Sequence, residues 1–179
     1  MPIPIDTYIR KRGIKGPWEF SPIPIQKFQN IVIIPAYAES EHIDYTLDCL
    51  SQCKVDSFDE IMVVVVVNNE VDALPKIIDN NQQTLLNLIK RKDPFFVAVI
   101  DASSDGMSIP KKHAGVGMAR KIGMDLALNF VNPHSLLFCL DADSLVDSTY
   151  FREIESHFNS TDSVASVVGF SHIKNEILF

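Results

Sequence analysis

Cysteine is scarce in this chain of 179 residues: Cys49, Cys53 and Cys139 are too few for a disulfide framework. Cys49 and Cys53 lie one helical turn apart, Cys139 falls inside an apolar run, and no C-x-x-C occurs. Small free thiols in a reducing compartment are therefore expected. Positive charge is also short, since 16 Lys and Arg face 23 Asp and Glu, for a formal charge of -7. Affinity for a phosphate backbone needs clustered Lys and Arg, so a general nucleic-acid binder is excluded. No apolar run approaches the roughly 20 residues of a bilayer-spanning helix. Nor does "MPIPIDTYIRKRG" carry an apolar stretch after its basic residues, as a signal peptide would. A cytoplasmic protein is expected.

Regular structure is missing at first. Pro2, Pro4, Pro17, Pro22 and Pro24 break residues 1–29 into an expected irregular arm that wraps the remainder, residues 30–179. "PIPI" occurs twice there, too short a copy to make a repeat architecture. Beyond it, "NIVIIPAY" reads as a buried strand. "SEHIDYTLDCLSQC" reads as a helix, with Ile43, Leu47 and Leu50 on one face and Ser40 as N-cap. The valines of "EIMVVVVVNN" cover both faces of a strand, as in a parallel sheet between helix layers. "QQTLLNLIKRK" is a helix with basic residues where its dipole favours them. "FFVAVIDASS" is a third strand, "VGMARKIGMDLALNF" a helix, "LLFCLDAD" a fourth strand, "DSTYFREIESHF" a helix and "SVASVVGFS" a fifth strand. Such alternation predicts an α/β fold, with a mainly parallel sheet flanked by helices. Ligands of these folds bind beyond the carboxyl ends of the strands. Here those ends read "PAYAES", "NNEVD", "DASSDG" and "DADS", all polar.

Three groups at those ends carry chemistry. Asp141 and Asp143 are one residue apart, and in extended backbone they face the same way. Two close carboxylates favour a cation between them, and oxygen ligands suit Mg²⁺ or Mn²⁺. A solvated turn would account for the pair equally well. Next, "KKHAGVGMARKIG" gathers Lys111, Lys112, His113, Arg120 and Lys121 around Gly115 and Gly117 at the start of a helix. A helix N-terminus attracts anions and disfavours cations, so a bound phosphate would relieve the conflict. The alternative is a solvated basic face. Lastly, Tyr37 offers a flat face for a base, with Glu39, Asn68, Asn69 and Asp101 able to hydrogen-bond a base or ribose. Ordinary turn chemistry would explain the asparagines too.

In this order, "IVIIPAYAESEHIDYTLDCL", the valine-rich strand, "AGVGMARKIGMDLAL" and "LLFCLDADS" resemble the nucleotide-binding half of family-2-type glycosyltransferases with the Rossmann-like GT-A fold. The resemblance spans roughly residues 30 to 170. It implies that the loop Pro35, Ala36, Tyr37, Ala38, Glu39 flanks the nucleotide base, with Tyr37 against it and Glu39 shaping its pocket. Asn68 or Asn69 would replace the aspartates that usually end the second strand, and Gly117 and Arg120 would face the diphosphate. Asp141 would reach the ribose or a metal-bound water, and Asp143 would ligate Mn²⁺ or Mg²⁺. The implied reaction moves a sugar from a UDP- or GDP-linked donor to an acceptor hydroxyl. The acceptor would be a glycan or a lipid-linked sugar, which would place the protein at the membrane periphery.

Three departures from the family pattern stand out. Ala38 occupies the usual asparagine position, "NNE" replaces an acidic segment, and the chain ends at "GFSHIKNEILF". An acceptor-binding half and the catalytic base are expected beyond Phe179, with Ile177, Leu178 and Phe179 needing cover. Two further readings are a non-catalytic nucleotide-sugar-binding domain and a nucleotidyltransferase-like enzyme. "PAYAESEH" lacks the glycine-rich loop normal for the latter.

Overall fold

The computed structural model describes residues 4–171. The elements, in chain order, are α1 (Ile5–Arg12), β1 (Phe28–Ala36), α2 (Ile43–Ser51), β2 (Ile61–Asn68) and α3 (Pro75–Lys90). They continue with β3 (Phe96–Ala102), α4 (Val116–Ala127), β4 (Val131–Cys139) and α5 (Tyr150–Ser160). The strands form one sheet in the order β3-β2-β1-β4. Every pairing is parallel: Ile33 lies beside Val64 on one side of β1 and beside Cys139 on the other. An α/β fold with a parallel sheet between helices is therefore what the chain adopts.

The valine run explains the layering. All of β2 is buried, with Val63, Val65 and Val67 facing one core and Val64 and Val66 the other. The first core is closed by Ile43, Leu47 and Leu50 of α2, Leu88 of α3 and Phe151 of α5. The second has a single crossover helix, α4, through Ala119, Ile122 and Ala127. Ile14, Trp18 and Phe20 of the N-terminal segment supply the rest of its cover. Ser21 bonds both ways to Val99 at 2.8 Å, which covers the middle of the outer edge of β3. An open edge invites foreign strands, so this contact also protects the sheet.

Four expectations need correction. Residues 5–12 are not irregular: free of proline between Pro4 and Pro17, they form α1, with Asp6 in its first turn and Arg10, Lys11 and Arg12 in its last. That charge order complements the helix dipole. Ser40 does not cap α2, whose first turn is closed by the Glu39 carbonyl accepting from Ile43 N–H. Residues 162–171 form no strand despite their valines. Val164 and Val167 are exposed there, and a strand without a partner strand has no ladder to stabilise it. Finally, β4 stops at Cys139, so Asp141 and Asp143 lie in a turn closed by Ser144 N–H donating to the Asp141 carbonyl at 3.1 Å. The terminal "ILF" lies outside the described residues.

All three cysteines are free, and burial pushes the Cys53 thiol up to about 11. No helix among the described residues is long and apolar enough to cross a membrane.

Candidate functional site

In the sheet order, β2 and β4 flank β1 on opposite sides, so the connection reverses there. Loops leaving such a switch point diverge and open a crevice. A cleft of about 600 Å³ lies at that point. Pro35, Tyr37 and Glu39 line it from the end of β1, and Asn68 and Glu70 from the end of β2. Lys111, Ala114, Gly115, Val116 and Arg120 line it from the approach to α4, and Asp141, Ala142 and Asp143 from beyond β4.

One end of the cleft is aromatic, with Glu39 and Glu70 beside Tyr37. Tyr37 is half exposed, and its hydroxyl donates to Glu70 Oε1 at 3.3 Å. Burial, then the Glu70 charge, push its phenol above the ordinary range. Asn68 is only 3% exposed, and its Oδ1 has no hydrogen-bond partner among the described residues. A buried amide oxygen left unpaired costs about 1–3 kcal/mol. An incoming N–H donor would remove that cost.

The other end holds the start of α4 and Arg120. Gly115 occupies the N-cap position of α4 with φ 137°, a conformation L side chains rarely adopt, and no side chain among the described residues caps the first N–H groups of the helix. Arg120 stands one turn in. Its Nη2 donates to Asp141 Oδ1, while its buried Nε has no partner among the described residues. Lys111 sits at the rim, paired with Asp72 at 2.7 Å, and that bond holds its ammonium above the usual lysine range.

The acidic turn faces the same space. Asp141 is neutralised by Arg120, whereas Asp143 makes no bond among the described residues. No group of three or more His, Cys, Asp and Glu able to hold a metal ion exists among the described residues. Two carboxylates are nevertheless what Mg²⁺ commonly takes when a bound phosphate completes its shell. The donor set thus fits a divalent ion only together with a phosphorylated ligand.

The structure brings Pro35, Tyr37, Glu39, Asn68, Arg120, Asp141 and Asp143 together in the cleft. Ala36 and Asn69 are buried beneath it. Gly117 faces a second cavity, about 460 Å³, between α1 and α4. Asp101 turns away: its Oδ1 accepts from Ser103 N–H and Ser104 N–H, both at 2.9 Å. Sequence reasoning placed Glu70 in "NNEVD" at the end of the second strand but gave it no role. It missed Asn80 and Asn81 of α3. Their signal is faint: Asn81 falls at helical spacing with the buried Thr84 and Leu88.

No protein-family profile and no curated protein matches the chain. Its fold is similar to crystal structures of S. aureus TarS residues 1–349. The first has TM-score 0.52 and 19% identity, covering 74% of this chain and 33% of that one. TarS in complex with UDP gives TM-score 0.53 and 16% identity, over 74% and 32%. TarS in complex with UDP-GlcNAc gives 0.51 and 18%, again over 74% and 32%. The chain spans about a third of the length of the TarS structures it matches. At these identities the likeness is one of fold.

Proposed function

We propose that this chain is the donor-binding domain of a glycosyltransferase of the family-2 type, holding a nucleoside diphosphate sugar in the cleft. One observation carries the proposal. A single crevice at the switch point joins a base-type end, Tyr37 with unpaired Asn68, to an anion-type end, uncapped α4 with Arg120. The TarS complexes with UDP and UDP-GlcNAc, on a similar fold, support it.

In this proposal the base lies on Tyr37, with Glu39 at its edge and Asn68 accepting from a ring N–H and donating to a ring carbonyl. Guanine offers the amide the same N–H and carbonyl pair, so the preference for uracil rests on the TarS complexes with UDP and UDP-GlcNAc. The diphosphate lies across the first N–H groups of α4. Arg120 shares its charge between Asp141 and the phosphate oxygens, so its orphaned Nε gains a partner. Asp143, with Asp141, would hold Mn²⁺ or Mg²⁺ beside the diphosphate. A bound divalent ion supplies charge neutralisation for a leaving diphosphate. Arg120 and the helix N-terminus supply preorganised stabilisation of the same charge. The acceptor hydroxyl and its general base belong to the proposed whole enzyme, outside the cleft described here.

Calorimetric titration with UDP and with GDP, each with and without Mn²⁺, tests this. Binding of UDP in preference to GDP is expected, with the metal-dependent part lost in Asp143→Ala. Arg120→Ala should weaken binding by about 10–100-fold, the loss of a charged hydrogen bond of about 1.5–3 kcal/mol. Neither nucleotide binding would remove the proposal. Equal metal response in Asp143→Ala would remove the metal assignment alone.

A further inference from the structure

Asn81 is fully buried in α3, on the face that elsewhere presents Thr84 and Leu88 to the core. A polar amide there is tolerated only if its donors and acceptor are matched. They are. Its Oδ1 accepts from Ala38 N–H at 2.9 Å, and its Nδ2 donates to the Asn68 carbonyl at 3.0 Å and to Asn69 Oδ1 at 2.8 Å. Asn69 passes the connection on, donating to the Glu70 carbonyl at 2.9 Å and to Ser108 Oγ at 3.3 Å. Beside it, Asn80 Oδ1 accepts from Ser40 N–H at 3.0 Å.

The partners of Asn81 lie in the loop after β1 and at the end of β2, on the aromatic side of the cleft. Ala38 is the residue between Tyr37 and Glu39, and it holds φ at +59°, where an L side chain is strained. The Asn81 bond satisfies the N–H of that strained residue. The Asn68 carbonyl bond places the backbone from which the unpaired Asn68 amide projects. One side chain therefore sets the relation between the β1 loop and the end of β2, yet it touches no space a ligand would fill.

We infer that Asn81 is a positioning residue for recognition of the base, acting through Ala38, Asn68 and Asn69. The inference rests on the donor-site proposal above. Asn81 reaches nothing at the anion end, so its loss should separate the two ends of the cleft.

The test compares the affinities of UDP and of inorganic diphosphate for the wild-type chain, Asn81→Leu and Asn81→Asp, together with amide exchange of Ala38. Leucine keeps the branched outline of asparagine, is somewhat larger, and removes all three bonds. Aspartate keeps the acceptor for Ala38 but, ionised, loses both donors. Asn81→Leu should bind UDP about tenfold or more weakly, a change of about 1.4 kcal/mol, with diphosphate affinity unchanged and Ala38 exchange accelerated. Asn81→Asp should also lose UDP affinity while Ala38 stays protected, and it carries the test if the leucine variant does not fold. Parallel loss of UDP and diphosphate would reduce Asn81 to a general structural role and overturn the inference. So would unchanged UDP affinity in either variant. If wild type binds diphosphate but neither UDP nor GDP, the donor-site proposal fails. Ala38 exchange then judges Asn81 by itself, and wild-type rates in Asn81→Leu would show that it holds nothing.

Discussion

Ala38 is strained because its backbone bends where a left-handed residue is needed and no glycine or asparagine is present. Asparagine tolerates that region far better than alanine. Ala38→Asn should therefore raise stability by about 1 kcal/mol. In a chain of this size that corresponds to about 2–4 °C in Tm. A lower Tm by calorimetric scan would show that the strain is relieved some other way. At Asp101, burial raises the pKa, but the bonds from Ser104 and Ser103 outweigh it and leave the carboxyl below its ordinary range. A depressed folded value contributes stability above the unfolded pKa of about 3.9, lost as pH falls through the folded pKa. Asp101→Ala should cost about 1–3 kcal/mol at neutral pH. The gap between the two proteins should narrow in acid, and a gap independent of pH in denaturant titrations would contradict this account. Tyr37, Asn68, Arg120 and Asp143 were legible as residues because each marks a strand end or a helix start. Asn81 was not, because its worth depends on partners up to 43 positions away.

At the scale of elements, α4 lies so close to the sheet that a Cβ at Gly123 would stand 2.6 Å from Ile33 Cγ2 and 3.0 Å from Val66 Cγ2. Both methyls are packed in the core and have little room to move. Alanine is the better helix former by about 1 kcal/mol, yet overpacking costs about 1–3 kcal/mol. Gly123→Ala should thus be neutral to about 2 kcal/mol destabilising, and its chief effect should be displacement of α4. Because α4 carries Arg120 and the uncapped N-terminus, diphosphate affinity should fall with it; unchanged affinity at lowered stability would separate helix from site. Strands β1 to β4 and helices α2 to α5 follow from periodicity, since burial on both faces and burial on one face write different patterns. The segment 162–171 shows the limit of that logic. Valines confer strand preference, but the ladder needs a neighbour that local sequence does not specify.

For the whole molecule, the decisive asymmetry is three helices over one face of the sheet and one helix over the other. The N-terminal segment evens it out. Phe20 inserts against Phe130, ring centroids 5.6 Å apart, and Trp18 Nε1 donates to the Met107 carbonyl at 2.7 Å. Tyr8 and Lys121 converge on the buried Asp125, tying α1 to α4. Phe20→Ala should cost about 3–5 kcal/mol, read as a lowered midpoint in urea with little change in slope. A loss below about 1 kcal/mol would show that the segment merely rests on the sheet.

By itself the sequence determined the alternation of strands and helices, the burial of both sheet faces and the polar residues at the strand ends. Those depend on side-chain period and local chemistry, which act between near neighbours. Only the tertiary structure decided that Ile14, Trp18 and Phe20 cover one face of the sheet, that Arg120 meets Asp141, and that Asn81 joins two strand-end loops. Hydrogen bonds and ion pairs form between groups that the fold, not the order of residues, brings within about 3 Å.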